Sequence, residues 1–138
     1  MRIDIETLVK ADLDTVWQAW NTPADICAWN AASDDWHTTD AKLELEPGGS
    51  FCYRMAAKDG SFAFDFSGIY TFVAPMTRIE FELDDSRIVS TTFESGLDGV
   101  HVRQSFEAAD EMSASQQKDG WQAILNNFAR HVESKVGV

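Results

Sequence analysis

The side chains of this sequence that could do acid–base chemistry are few and scattered. His37 stands beside Trp36 and close to Asp34, Asp35 and Asp40. A histidine oriented by a carboxylate can act as a general base, which makes His37 a weak candidate catalytic residue and leaves no strong one. His101 lies between Val100 and Val102, and strand alternation turns it away from them, toward solvent. His131 falls near the end of a C-terminal helical pattern, where the helix dipole favours a cation. Gly48-Gly49 is not followed by Gly-Lys-Ser/Thr, and there is no GxSxG, HExxH or GxGxxG. No three or four ligands of metal-binding type converge, so neither a metal nor a cofactor is expected. Cys27 and Cys52 form no CxxC pair and no zinc spacing. They read as free thiols, buried or half-buried, of a protein in the reducing cytoplasm.

Binding chemistry is better represented. The chain holds nine Phe, five Trp and two Tyr, each bringing a large apolar area that needs room to pack. The set fits either a large solid core or the walls of a cavity. Ligand pockets are mostly apolar, with a few polar groups that fix orientation. Three polar residues share a face with apolar neighbours: Tyr53 with Phe51 and Met55, Thr91 with Val89 and Phe93, and Gln104 with Val102 and Phe106. The candidate lining of a cavity is therefore Trp36, Tyr53, Phe66, Phe81, Phe93, Gln104, Trp121 and Leu125.

The elements that must position these residues follow from their spacing. Residues 2–9 alternate, as a strand with one buried face does. Asp12 can cap a helix carrying Val16, Trp17 and Trp20, and Thr22-Pro23 starts a second short helix with Ile26 and Trp29. Residues 30–40 show no period and are expected to form a loop. Six further alternating runs follow. Leu43 and Leu45 share one face, as do Phe51, Tyr53 and Met55. In the third run Phe62, Phe64, Phe66, Tyr70 and Phe72 share a face, with Gly68 marking a bulge or bend. Ile79, Phe81 and Leu83 form the fourth, and Val89, Thr91 and Phe93 the fifth. Val100 to Phe106 completes the set after Leu97-Asp98-Gly99. Lys58-Asp59-Gly60-Ser61 is a hairpin signal. A meander of this kind gives an antiparallel sheet of six to seven strands. The period then changes. Ser113 and Gln116 have capping-box spacing, and Trp121, Ile124, Leu125, Phe128 and Val132 form one helical stripe ending near Lys135. Gly120 inside that helix costs about 1 kcal/mol relative to Ala, which suggests close packing there. The expected architecture is a single α+β domain over residues 1–138, its curved sheet wrapping the long helix.

Composition excludes some partners. With 11 basic and 23 acidic residues the net charge is −12, wrong for neutralising phosphates, so neither nucleic acid nor an anionic membrane is expected as a partner. The N-terminus is no signal peptide, and no apolar run approaches the roughly 20 residues of a membrane helix. A soluble cytoplasmic protein is expected.

Several pieces of the chain, in order, resemble a known family: Val16-Trp17-Gln18-Ala19-Trp20 with Thr22-Pro23 and Trp29; Pro47-Gly48-Gly49-Ser50-Phe51; Asp59-Gly60; Gly68-Ile69-Tyr70 with Pro75 and Arg78-Ile79; and Gly120-Trp121 with Leu125. The chain resembles the START/SRPBCC superfamily, with its helix-grip fold, in the branch of homologues of the activator of heat-shock protein 90 ATPase. The resemblance implies a cavity between the sheet and the C-terminal helix. Members of the superfamily bind lipids, polyketides or plant hormones, some catalyse cyclisation or dehydration, and the eukaryotic activator binds a chaperone. This chain is similar to the single-domain form. It departs from the family at Asn30, where a second Trp often follows the first; Trp36 is the nearest aromatic that could substitute.

Three functions are therefore expected to compete. The first is binding of an apolar or aromatic small molecule. The second is a protein-interaction module, as a homodimer or with a chaperone-type partner. The third is a cyclase- or dehydratase-like enzyme using His37.

Overall fold

The computed structural model describes residues 2–108, 110 and 113–137. Strand β1 (Arg2–Val9) is followed by two short helices, α1 (Leu13–Asn21) and α2 (Pro23–Trp29). Six strands come next: β2 (Trp36–Leu43), β3 (Ser50–Ala57), β4 (Ala63–Ala74), β5 (Arg78–Leu83), β6 (Ile88–Gly96) and β7 (Gly99–Glu107). Helix α3 (Ala114–Lys135) closes the order. The seven strands form one antiparallel sheet in the order β1-β7-β6-β5-β4-β3-β2. The class is α+β, with a curled half-barrel sheet and the long helix over its concave face, as the alternation and the final 3.6 period require.

Helix α1 starts where Asp12 Oδ1 accepts the Thr15 N–H at 2.8 Å, the expected cap. Thr22 stands at the cap position of α2, but its hydroxyl donates backwards to the Gln18 carbonyl at 2.6 Å and so closes α1 instead. The capping box of α3 does not form. Ser113 N–H and Oγ–H both donate to Asp110 Oδ1, and Gln117, rather than Gln116, donates to Ser113 Oγ.

Four further expectations are corrected. Residues 36–40 are strand, not loop. A register shift between Thr38 and Asp40 makes Thr39 a bulge, and a bulge erases the two-residue period by which a strand is recognised. Leu45 lies beyond the end of β2. Gly68 marks no bulge: a Cβ there would fall 2.4 Å from the Glu82 carbonyl oxygen and 3.0 Å from the Phe51 ring, so the glycine allows close approach. The bulge falls at Thr71, and it turns Phe72 outward, where the Arg78 guanidinium lies 5.7 Å from its ring. Gly120 packs against nothing, since a Cβ there would meet open space.

Both outer strands are covered, as exposed strand edges tend to be in natural sheets. Helix α3 lies along β1: Gln122 Nε2 donates to the Glu6 carbonyl and the Lys10 N–H donates to Glu133 Oε2, each at 3.0 Å. Helix α2 lies along β2, joined by the Asn30–Thr38 pair. Helix α3 is in turn tied to the α2 side. Asn127 Nδ2 donates to the Ala31 carbonyl at 2.6 Å, His131 Nε2 lies 2.8 Å from Asp25 Oδ1, and Lys135 Nζ donates to the same oxygen at 2.7 Å. These ties hold the helix across the mouth of the half-barrel.

The C-terminal half of α3 sits on solid core. Leu125, Phe128 and Val132 are fully buried with Val9, Val16, Ile26, Val100 and Val102. Trp20 stacks on Trp29 with centroids 4.8 Å apart, and the Phe128 ring meets both edge-on at 4.9 and 5.0 Å. Trp29 Nε1 donates to the Ala19 carbonyl at 2.9 Å, so the indole is buried with its donor satisfied.

Candidate functional site

The N-terminal half of α3 does not pack on solid core. Between it and the sheet lies a cavity of about 160 Å³. Phe51, Tyr53 and Met55 of β3, Phe64, Phe66 and Tyr70 of β4, and Ile79 and Phe81 of β5 form its floor. Trp121 and Ile124 of α3 cover it, and Trp20, Trp29, Asn30 and Gln104 complete the wall. The inward positions of three adjacent strands thus converge, because antiparallel register sets Tyr53 opposite Phe66 and Tyr70 opposite Phe81.

The aromatic rings brace one another. Phe51 contacts Tyr53, Phe66, Tyr70 and Phe81 at centroid distances of 4.8 to 5.8 Å. Trp121 stacks on Phe106 at 4.1 Å and meets Phe66 edge-on at 5.8 Å. The Trp20–Trp29 stack is a partition: it borders the cavity, and it also meets Phe128 of the solid half.

Among the described residues no charged side chain lines the cavity. The polar groups those residues present are neutral. Burial pushes the Tyr53 hydroxyl far above its ordinary range, with Tyr70 beside it adding to the rise. Burial raises Tyr70 to about 12, partly offset by its hydrogen bond with Tyr53. Both phenols therefore stay neutral across the physiological range. Gln104 Nε2 donates to Thr91 Oγ1 at 3.1 Å, and Asn30 Nδ2 donates to Thr38 Oγ1 at 3.1 Å.

Of the residues singled out by sequence, Tyr53, Phe66, Phe81, Gln104 and Trp121 come together on this cavity. Three do not. Phe93 points inward as its alternation required, but it is spent on Trp17 and Trp20, at 5.3 and 5.7 Å. Leu125 belongs to the solid core. Trp36 stands half-buried at the rim, where it forms an aromatic trio with the exposed Phe62 and Phe64 at 6.0 to 6.1 Å; Phe62 is 60 % exposed. Asn30, not Trp36, supplies the wall next to Trp29. Sequence reasoning passed over Asn30 because it opened an aperiodic stretch; the available signal was its place at the end of α2, where the chain turns back toward the sheet.

His37 pairs across from Ala56, which alternates with Tyr53 and Met55. Its side chain therefore lies on the convex face of the sheet, away from the cavity. Asp35 accepts from Ser33 and Asp40 pairs with Lys42, so neither acid orients the imidazole. His131 makes the Asp25 contact. Cys27 and Cys52 are half-buried free thiols. Burial, with Asp40 near Cys27 and with Asp65, Asp40 and Asp84 near Cys52, pushes both up and keeps them protonated. Among the described residues no cluster of histidine, cysteine or carboxylate side chains could hold a metal ion. No described helix is long and apolar enough to cross a membrane.

A family model for Activator of Hsp90 ATPase homolog 1-like proteins matches residues 10–133. No curated protein sequence matches the chain. Among solved structures, the AHSA1-like protein of Aeromonas hydrophila shares 47 % identity, with 99 % of this chain and 94 % of that one aligned at a TM-score of 0.92. A protein from Cytophaga hutchinsonii is 39 % identical over 99 % of this chain and 94 % of its own, at a TM-score of 0.82. A protein from Nitrosomonas europaea, only 14 % identical, aligns over 100 % of this chain and 97 % of its own at a TM-score of 0.84, a likeness of fold alone.

Proposed function

The chain belongs to the Activator of Hsp90 ATPase homolog 1-like family, and from the cavity it carries we propose that it binds a small, neutral, largely apolar molecule between the sheet and α3. The observation that carries this reading is a wall built of aromatic rings to which no described residue contributes a charge. A carboxylate or phosphate ligand would be stripped of water there without a counter-charge, at a cost of several kcal/mol. A neutral ring loses little and gains dispersion contacts. Size supports the same reading: an apolar cavity of roughly 150 Å³ is large enough to hold benzene, and this one measures about 160 Å³.

The test is calorimetric titration with toluene and, as the charged comparison, benzoate. Saturable binding of toluene without binding of benzoate is the expected result. Binding of benzoate alone, or failure of toluene and of phenol alike, would overturn the reading. Native mass spectrometry of freshly purified protein would add the mass of any ligand retained from the cell.

A second reading, docking of a protein partner, draws on the exposed Phe62 and Phe64 beside the half-buried Trp36. The Trp17 and Trp20 surfaces offer it nothing, because both indoles are buried.

A further inference from the structure

The hydrogen bonds around Asn30 dictate which end of its amide meets the cavity. Thr38 Oγ1 lies 2.6 Å from the Asn30 main-chain oxygen, an acceptor only, so the single hydroxyl hydrogen of Thr38 points there. The hydroxyl can then only accept from the Asn30 side chain, which must present Nδ2 rather than Oδ1 to it, at 3.1 Å. Thr38 thereby fixes the amide orientation, and Oδ1 faces the other way. The side chain is nine-tenths buried, only 7 % of the residue being exposed. No hydrogen bond to Oδ1 is formed among the described residues. Yet no buried side-chain oxygen among them is both sealed and unpartnered, so Oδ1 reaches open space, and the cavity is the space Asn30 lines. Gln104 of β7 likewise gives its Nε2 to a threonine hydroxyl, Thr91 Oγ1, at 3.1 Å, and its residue also lines the cavity.

We propose that Asn30 Oδ1 is the acceptor that anchors the ligand, so that the molecule bound carries an O–H or N–H donor on its apolar body: a phenol, an alcohol or an aromatic amine rather than a pure hydrocarbon, ether or ketone. The inference rests on the reading of the cavity as a binding site and deepens it. An acceptor held in place before binding rewards a donor and penalises a ligand that leaves it dry. Thr38 is the positioning residue, acting only through the amide it orients.

The experiment is a double comparison of phenol and toluene, similar in size, on the wild-type protein and on Asn30→Leu. The quantity read is the ratio of the two affinities, which cancels the different hydration of the probes. In Asn30→Leu the preference for phenol over toluene should fall by about tenfold or more, with toluene affinity held or raised. A ratio unchanged by the substitution would overturn the inference while toluene binding leaves the cavity reading intact. Failure of both probes on the wild type would sink the cavity reading, and the inference with it. Thr38→Val keeps Asn30 but frees its amide to rotate. It should give a smaller fall in the same ratio, and it carries the test if Asn30→Leu does not fold; an unchanged ratio there then counts against the proposal.

Discussion

The two halves of α3 lie over two different interiors, one mainly aliphatic and one mainly aromatic. At its C-terminal half the fully buried Leu125, Phe128 and Val132 lie among aliphatic side chains and the edge of a tryptophan stack. At its N-terminal half Trp121 and Ile124 span a gap above rings from β3, β4 and β5. The difference lies in shape. Branched aliphatic side chains interdigitate to crystal-like density. The rings around Phe51 brace one another at tilted and edge-on angles, and the space between them and α3 stays open. The solid half and its polar ties through Asp25 and Asn127 hold the helix in place, so the hollow half need not collapse.

The largest way to break this comparison is to remove one ring from each half. Phe128→Ala should cost about 3–5 kcal/mol, as truncation in a filled core does. Phe66→Ala should cost about 1–2 kcal/mol, because that ring already borders empty space. Urea unfolding with an unchanged m-value would measure both; equal losses would mean that the halves are packed alike.

Next in size is the polar tie. Burial pushes Asp25 upward, but the hydrogen bonds and charges of Lys135 and His131 outweigh it, and the carboxyl ends below its ordinary range. A carboxyl depressed in the folded state contributes stability above the unfolded pKa of about 4 and loses it as pH falls through the lower folded value. Asp25→Asn should therefore destabilise by about 1–3 kcal/mol near neutral pH. Its melting curve should converge on that of the wild type below about pH 3.

A smaller effect sharpens the comparison from the hollow side. Ile124→Phe adds volume toward the cavity and should change stability by less than about 1.5 kcal/mol while abolishing toluene binding. In a solid core the same change would strain its neighbours and cost more. The smallest effect concerns Gly120. A methyl group there meets open space, so Gly120→Ala should raise stability by about 0.5–1 kcal/mol, visible as a higher midpoint in urea.

The sequence revealed faces better than depths. Alternation placed Tyr53, Phe66, Phe81 and Gln104 on the inner surface, and the helical stripe placed Trp121 over it. The same period could not separate Phe93, which is inward but spent on Trp17 and Trp20, from Phe81, which reaches the cavity. Depth along a strand is set by the register of its neighbours, and a two-residue period carries no record of it. Bulges hid the rest. Thr39 masked the start of β2, and Thr71 reversed the side taken by Phe72. For Asn30 the one signal was its place at the end of α2; the hydrogen bond to Thr38 that sets its side chain across the following turn leaves no trace in spacing.

The central claim is that one end of this interior is hollow and accepts a neutral apolar guest. Methyl-detected NMR during a toluene titration tests it most directly. The account predicts saturable shifts at Ile124, Ile79 and Met55 around the cavity, with Val132 and Val16 in the solid half unmoved. Shifts that never saturate, or that are as large at Val132 as at Ile124, would contradict it.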